Sequence, residues 1–147
     1  MLTRPSNRYS GVHKLFDFEE GSTNFADGNW LGFSGNDLEF TTKISTNESI
    51  KNITVSCMES IGGWIIYPKS IRVYGRSGED SFSEIGRYDY RPKKIPTETT
   101  KKSFTLPIKV EDYTEIKLVV KNIGTLPQWH PAAGNEAWLF VDEILFW

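Results

Sequence analysis

The chain has 147 residues, with 17 Lys and Arg against 19 Asp and Glu, a single Cys, and 14% aromatic residues. That length suits one domain, large enough to bury a core without disulfides, and a lone cysteine forms no intrachain bridge. The near-balanced charge carries no basic stripe, which argues against nucleic acid as a partner, and no apolar run is long enough for membrane insertion.

Met1 to Ser10 is polar and contains no signal peptide, so residues 1–9 read as a linker or the trimmed start of a longer, exported protein. The folded domain is expected over residues 10–147. Asp17, Glu19, Glu20, Ser22, Thr23 and Asp27 crowd hard oxygen ligands around a first long loop, 21–35. Such a set suits calcium, and a solvated acidic loop is the competing use.

From there the pattern is alternation. Leu38, Phe40, Thr42 and Ile44 alternate with polar neighbours, as do Ile53, Val55 and Cys57; Ile71 and Val73; Phe104, Leu106 and Ile108; and Ile116, Leu118 and Val120. Cys57 therefore reads as a small core residue. The terminal run Trp138–Trp147 is a strand apolar on both faces. Asp27-Gly28, Ser34-Gly35-Asn36, Gly62-Gly63, Ser77–Asp80 and Asn122–Gly124 punctuate these runs. No stretch holds helical spacing for three turns. An all-β sandwich or jelly roll follows, with Pro107 marking an edge strand or a bulge. Lys93, Lys94, Lys101 and Lys102 bracket a Pro/Thr-rich stretch that reads as a solvated loop.

Catalytic patterns are not found. Asp142 and Glu143 are neighbours in a strand, so they are expected on opposite faces and do not form a glycosidase pair with each other. Gly32-Phe-Ser-Gly-Asn36 lacks the last glycine of a nucleophile elbow. His13 and His130 are the only histidines, and no His/Cys metal cluster or phosphate-cradling loop accompanies them.

Binding is the better reading. A long third loop, 122–137, places Trp129 and His130 between Pro127 and Pro131, which stiffen the backbone. A tryptophan on a rigid loop offers the C–H face of a pyranose a broad apolar surface at low entropic cost, while His130, Asn135 and Glu136 offer hydrogen bonds to hydroxyls. The second loop, 58–68, repeats the theme: Gly62-Gly63 allow a tight turn that presents Trp64, and Tyr67 follows. Core packing is the competing use of Trp64, Tyr67 and Trp138.

The strings Asp27–Glu39, Gly63-Trp-Ile-Ile-Tyr-Pro68 and Trp129–Ile144 resemble the discoidin-like domains of coagulation factor V/VIII type C. More narrowly, they resemble the version at the C-terminus of β-hexosaminidases, or chitobiases, of Bacteroides-type bacteria. The resemblance runs from about Ser10 to Trp147. It implies a galactose-binding-like jelly-roll β-sandwich of about eight strands, serving as a non-catalytic accessory module of a periplasmic, cell-surface or secreted glycoside hydrolase. Its partners would be the catalytic domain and glycan ends bearing galactose- or N-acetylhexosamine-type sugars; the alternative is a structural or docking domain whose aromatic loops pack against the catalytic domain without binding sugar. The site carried by the resemblance and by the loops is Trp64, Tyr67, Trp129, His130, Asn135 and Glu136. The resemblance also implies a structural calcium on Asp17 and Glu143, with Ser22 or Thr23 beside them. Phe18 stands where the family commonly has glycine, and Trp30 matches a core position. The sequons at Asn47 and Asn52 are incidental in a bacterial protein.

Overall fold

The computed structural model describes residues 1–45 and 49–147, so the sequon at Asn47 lies outside the described residues. Eight strands form: β1 (Leu31–Ser34), β2 (Leu38–Lys43), β3 (Asn52–Glu59), β4 (Ser70–Arg76), β5 (Ser83–Asp89), β6 (Thr100–Pro107), β7 (Glu115–Lys121) and β8 (Trp138–Phe146). They pair into two antiparallel four-stranded sheets, ordered β1-β8-β3-β6 and β2-β7-β4-β5. The all-β sandwich expected from the alternation is the fold observed. Pro107 ends β6, an edge strand, where its missing N–H costs no ladder bond. No helix among the described residues is long and apolar enough to cross a membrane.

The inward-facing alternating residues meet between the sheets. Val55, Cys57, Phe104, Leu139 and Val141 of one sheet pack on Phe40, Ile71, Val73, Leu118 and Val120 of the other. Only β4 and β5 are joined within one sheet; every other connection crosses between sheets. The antiparallel directions therefore gather four connections at one end: 35–37, 60–69, 90–99 and 122–137.

A second apolar layer covers the outer face of the β8 sheet, where Trp30, Met58, Ile65 and Phe140 pack with Tyr9, Phe25 and Trp138. This layer recruits the N-terminal segment. Tyr9 meets Phe140 and Trp138 edge-on or tilted at 4.8 and 5.7 Å. The Ser6 amide donates to the Gly32 carbonyl and the Leu2 amide to the Glu39 carbonyl. Residues 1–9, expected as a linker, are thus fastened to the sandwich. The layer also explains two glycines. A Cβ on Gly21 would lie 2.3 Å from Trp30 Nε1, and one on Gly32 would lie 2.6 Å from the Phe140 ring.

One expectation is overturned in β8. Ser56 pairs with Glu143 but Cys57 with Val141, so Asp142 is an extra residue in the ladder. A bulge of this kind breaks strict alternation. Val141 and Ile144 both enter the inter-sheet core, which sends Asp142 and Glu143 to the same, outer side. They do not point to opposite faces as adjacent strand residues ordinarily would.

Gly21→Ala is expected to force the Trp30 indole from its seat and to destabilise the domain by about 1–3 kcal/mol, the usual cost of overpacking. Urea unfolding of the parent and the variant measures it.

Candidate ligand-binding site

The four connections at one end of the sandwich build the site. The β7–β8 connection starts from Asn122, which is buried. Its side-chain amide donates to the carbonyls of Phe33, Asn36 and Ala137, and its Oδ1 accepts from the Gly124 amide. Asp37 Oδ1 accepts the Asn122 amide and Asp37 Oδ2 accepts from Lys121 Nζ, both at 2.9 Å. Two connections, 35–37 and 122–137, are thereby locked to each other and to the end of β1.

His130 does the same at the far side of the loop. It is only 4% exposed. Nε2 lies 3.0 Å from the Ile61 carbonyl, and Nδ1 accepts from the Ala132 amide at 2.9 Å. The second bond requires a lone pair on Nδ1, so the ring carries its proton on Nε2 and donates it to Ile61. Both nitrogens are committed, and the ring has none left for a sugar hydroxyl. His130 instead ties the β7–β8 connection to the β3–β4 turn, helped by packing of Ile66, Leu126 and Ala137.

The remaining sequence candidates divide. Trp129, 36% exposed, and Tyr67 line one cavity of about 230 Å3, with Thr125, Pro127, Lys69 and Tyr90. Tyr67 itself is only 5% exposed and belongs to the core. Its hydroxyl pairs with Thr100 Oγ1 at 2.8 Å, and burial pushes the phenol up to about 12, so it stays protonated. Trp64 is exposed on the same end without lining this cavity. The residue in the left-handed region is Trp64 itself, at φ 62°, rather than Gly62 or Gly63. Its backbone is held there by Trp64 N–H to the Ile61 carbonyl and Trp138 N–H to the Trp64 carbonyl. Asn135 folds its amide onto the Ala132 carbonyl, Glu136 accepts from Ser34 Oγ at 2.9 Å, and neither lines the cavity that Trp129 lines.

A second, larger cavity of about 850 Å3 adjoins the first. It sits where the ends of β3, β5 and β6 converge beneath the 90–99 connection, and it shares Glu59, Tyr67, Tyr90 and Pro96 with its neighbour. Phe104 anchors its aromatic wall, with Tyr67, Tyr88 and Tyr90 all edge-on within 5.3–5.5 Å. Lys93, Lys94, Lys101 and Lys102, expected as a solvated loop, are on its rim. Glu59 is the buried polar group common to both cavities: its Oε2 accepts the Tyr67 amide at 3.2 Å, and burial raises its carboxyl. Sequence reasoning missed Glu59, Tyr90 and this rim. The alternation Tyr88-Asp89-Tyr90 at the end of β5, running into Arg91-Pro-Lys-Lys94, was the available signal.

Away from this end, the bulge brings the carboxylates of β8 under residues 17–21. Asp142 Oδ2 accepts the Gly21 amide at 2.7 Å, and Lys101 Nζ lies 3.9 Å away. Among the described residues, neither oxygen of Glu143 has a well-formed hydrogen bond, although both are buried. Burial and the adjacent Asp17 carboxylate raise Glu143, and the nearby Phe18 amide offsets part of this. Phe18 adopts φ 61°, in the left-handed region that glycine adopts most readily. Ser22 is engaged elsewhere: its Oγ accepts the Asn24 amide, its own amide donates to Asp27, and its carbonyl accepts from Trp30 Nε1. No hydrogen bond links Thr23 to Asp17 or Glu143 among the described residues. Nor do three or more His, Cys, Asp or Glu side chains converge as a metal site among them. A calcium ion here would therefore rest on Asp17, Glu143 and backbone carbonyls.

Compared with models of known protein families and with curated proteins, the chain matches none.

Glu59→Gln keeps an oxygen for the Tyr67 amide and removes the buried charge. A raised carboxyl means that the native state holds this proton more tightly than the unfolded chain does. The parent therefore loses stability relative to the variant as pH rises through the raised value, and the two converge near the unfolded carboxyl range, about pH 4. Thermal unfolding of both from about pH 4 to 8 is expected to show a gap that opens toward neutral pH.

Proposed function

We propose that this domain is a carbohydrate-binding module of the discoidin-like type, without catalysis of its own, and that it holds a glycoside hydrolase on its glycan. The observation that carries the reading is the placement of Trp129: half-open to solvent, braced by Pro127 and the buried His130, and facing a cavity walled by Tyr67 and Tyr90. A pyranose stacked on such an indole loses little entropy from the protein side. Lys69 and Thr125 supply hydrogen bonds at the rim, and Glu59 supplies an acceptor at the base. Terminal galactose- or N-acetylhexosamine-type sugars fit a site of this size, and the reading places the parent protein at the cell surface, in the periplasm or outside the cell.

Calcium is proposed as a structural ion at Asp17 and Glu143. Its support is the cost otherwise borne there: two buried, unpaired oxygens beside a second carboxylate. A bound cation would neutralise both.

Docking against a catalytic domain is the second reading. It is favoured by Val12, Phe16 and Phe18, of which Phe18 is 80% exposed. Association with a hydrolase that Phe18→Ser abolishes and Trp129→Ala preserves would support it.

Titration with galactose- and N-acetylhexosamine-terminated oligosaccharides, read by tryptophan fluorescence, tests the sugar reading. Saturable binding is expected, and Trp129→Ala is expected to weaken it at least about tenfold, the loss of roughly 1.4 kcal/mol. Silence of the parent across the panel would end the reading. For calcium, a millimolar excess over chelator is expected to raise the melting temperature of the parent but not of Glu143→Gln.

A further inference from the structure

The chain as a whole is slightly acidic, with a formal net charge of −2. Around the larger cavity the balance reverses. Arg91, Lys93, Lys94, Lys101 and Lys102 line it, against Glu59, Asp89 and Glu98. The acids are mostly committed. Asp89 is held by Arg72 at 3.5 Å and Arg87 at 2.8 Å. Glu59 is buried on the Tyr67 amide. Among the cations only Lys101 is taken, by Glu20 at 3.4 Å and Asp142 at 3.9 Å. Lys102 lies over the rings of Tyr90 and Phe104, at 5.8 and 5.6 Å. Arg91, Lys93 and Lys94 have no ion pair among the described residues. Three uncommitted cations and a ring-stacked fourth thus converge on one concave, tyrosine-walled space, opposed by Glu98 and the buried carboxyl of Glu59.

We propose that this space binds an anionic group, a carboxylate or sulfate, of the same ligand that stacks on Trp129, so that the domain selects acidic sugars. The inference rests on the carbohydrate reading, and it adds the substrate class. Three arguments support it. The two cavities are contiguous through Glu59, Tyr67, Tyr90 and Pro96, so one oligosaccharide spans both. A volume of about 850 Å3 admits one or a few sugar units and is too small for a macromolecular partner to enter. A neutral sugar would gain nothing from displacing water around three cations, whereas an anion gains a Coulomb attraction that the low-dielectric tyrosine wall strengthens. The residues divide the work: tyrosines hold the ring faces, and Arg91, Lys93 and Lys94 close on the charge. Arg91 offers the planar fork that suits a carboxylate or sulfate, and the lysines act as point charges.

The test is calorimetric titration of the intact domain with matched pairs: trigalacturonate against trigalactose, and 6-sulfo-N-acetyllactosamine against N-acetyllactosamine. Sulfate and carboxylate chemistries are separated by the two pairs. The acidic member of at least one pair is expected to bind about tenfold more tightly at low salt, with the advantage largely gone at about 0.5 M NaCl, where exposed charges are screened. The double variant Lys93→Ala/Lys94→Ala, altering two exposed side chains without structural partners, is expected to bind acidic and neutral members alike, while Trp129→Ala weakens both. Equal binding of acidic and neutral members by the parent would overturn the inference and leave the carbohydrate reading standing. So would an acidic preference that survives the double variant. Failure of the parent to bind any of the four sugars would overturn the carbohydrate reading and this inference with it.

Discussion

The structure depends on the burial of β8 on both faces. Leu139, Val141 and Ile144 close the inter-sheet core, while Trp138 and Phe140 need a cover on the other side. An edge-exposed antiparallel sheet ordinarily leaves one face to water. Here the N-terminal segment supplies the cover through Tyr9, Phe25 and Trp30, and the glycines at 21 and 32 exist where those rings come closest. The same strand carries the bulge at Asp142. Its extra residue turns two carboxylates outward beneath residues 17–21, which leaves the buried Glu143 oxygens without a well-formed hydrogen bond among the described residues.

At the other end, side-chain hydrogen bonds add to a small apolar cluster of Ile66, Leu126 and Ala137. Asn122 and His130 use every polar side-chain atom they have to tie loops to one another. Loops without regular structure are usually the mobile part of a domain. These are fixed at both ends, which is what a preorganised binding surface requires. The strained backbone at Trp64 fits that picture: a tryptophan at positive φ persists only where its surroundings hold it, and here two backbone hydrogen bonds do so.

The sandwich was legible in the sequence because period-two alternation is a direct consequence of one-sided burial. Five strands announced themselves in that way, and β8 by a run apolar on both faces. β1 did not, since it has only four residues and Gly32 interrupts its pattern. Nor did β5, an edge strand whose residues are largely exposed. The site was less legible. Trp129 could be read from its prolines, but the roles of His130 and Tyr67 depend on partners far away in sequence, Ile61 and Thr100, that composition does not reveal. The bulge is invisible for the same reason, because register belongs to the pair of strands and not to one. Glu59 and the lysines of 93–102 meet only because β3, β5 and β6 end at the same level, a consequence of topology.

Ligand is proposed to enter the paired cavities between Trp129 and the 90–99 connection. Nitrogen-labelled protein titrated with an oligosaccharide and followed by two-dimensional proton–nitrogen NMR tests it most directly, because five indole N–H signals report five places at once. Movement is expected of the Trp129 indole and of the amides of Lys69, Tyr90 and Lys93–Lys94, with the indoles of Trp30 and Trp147, bonded to the Ser22 carbonyl and Thr54 Oγ1, unmoved. Shifts gathered instead on Trp64, Asn135 and Glu136, with Trp129 silent, would contradict it.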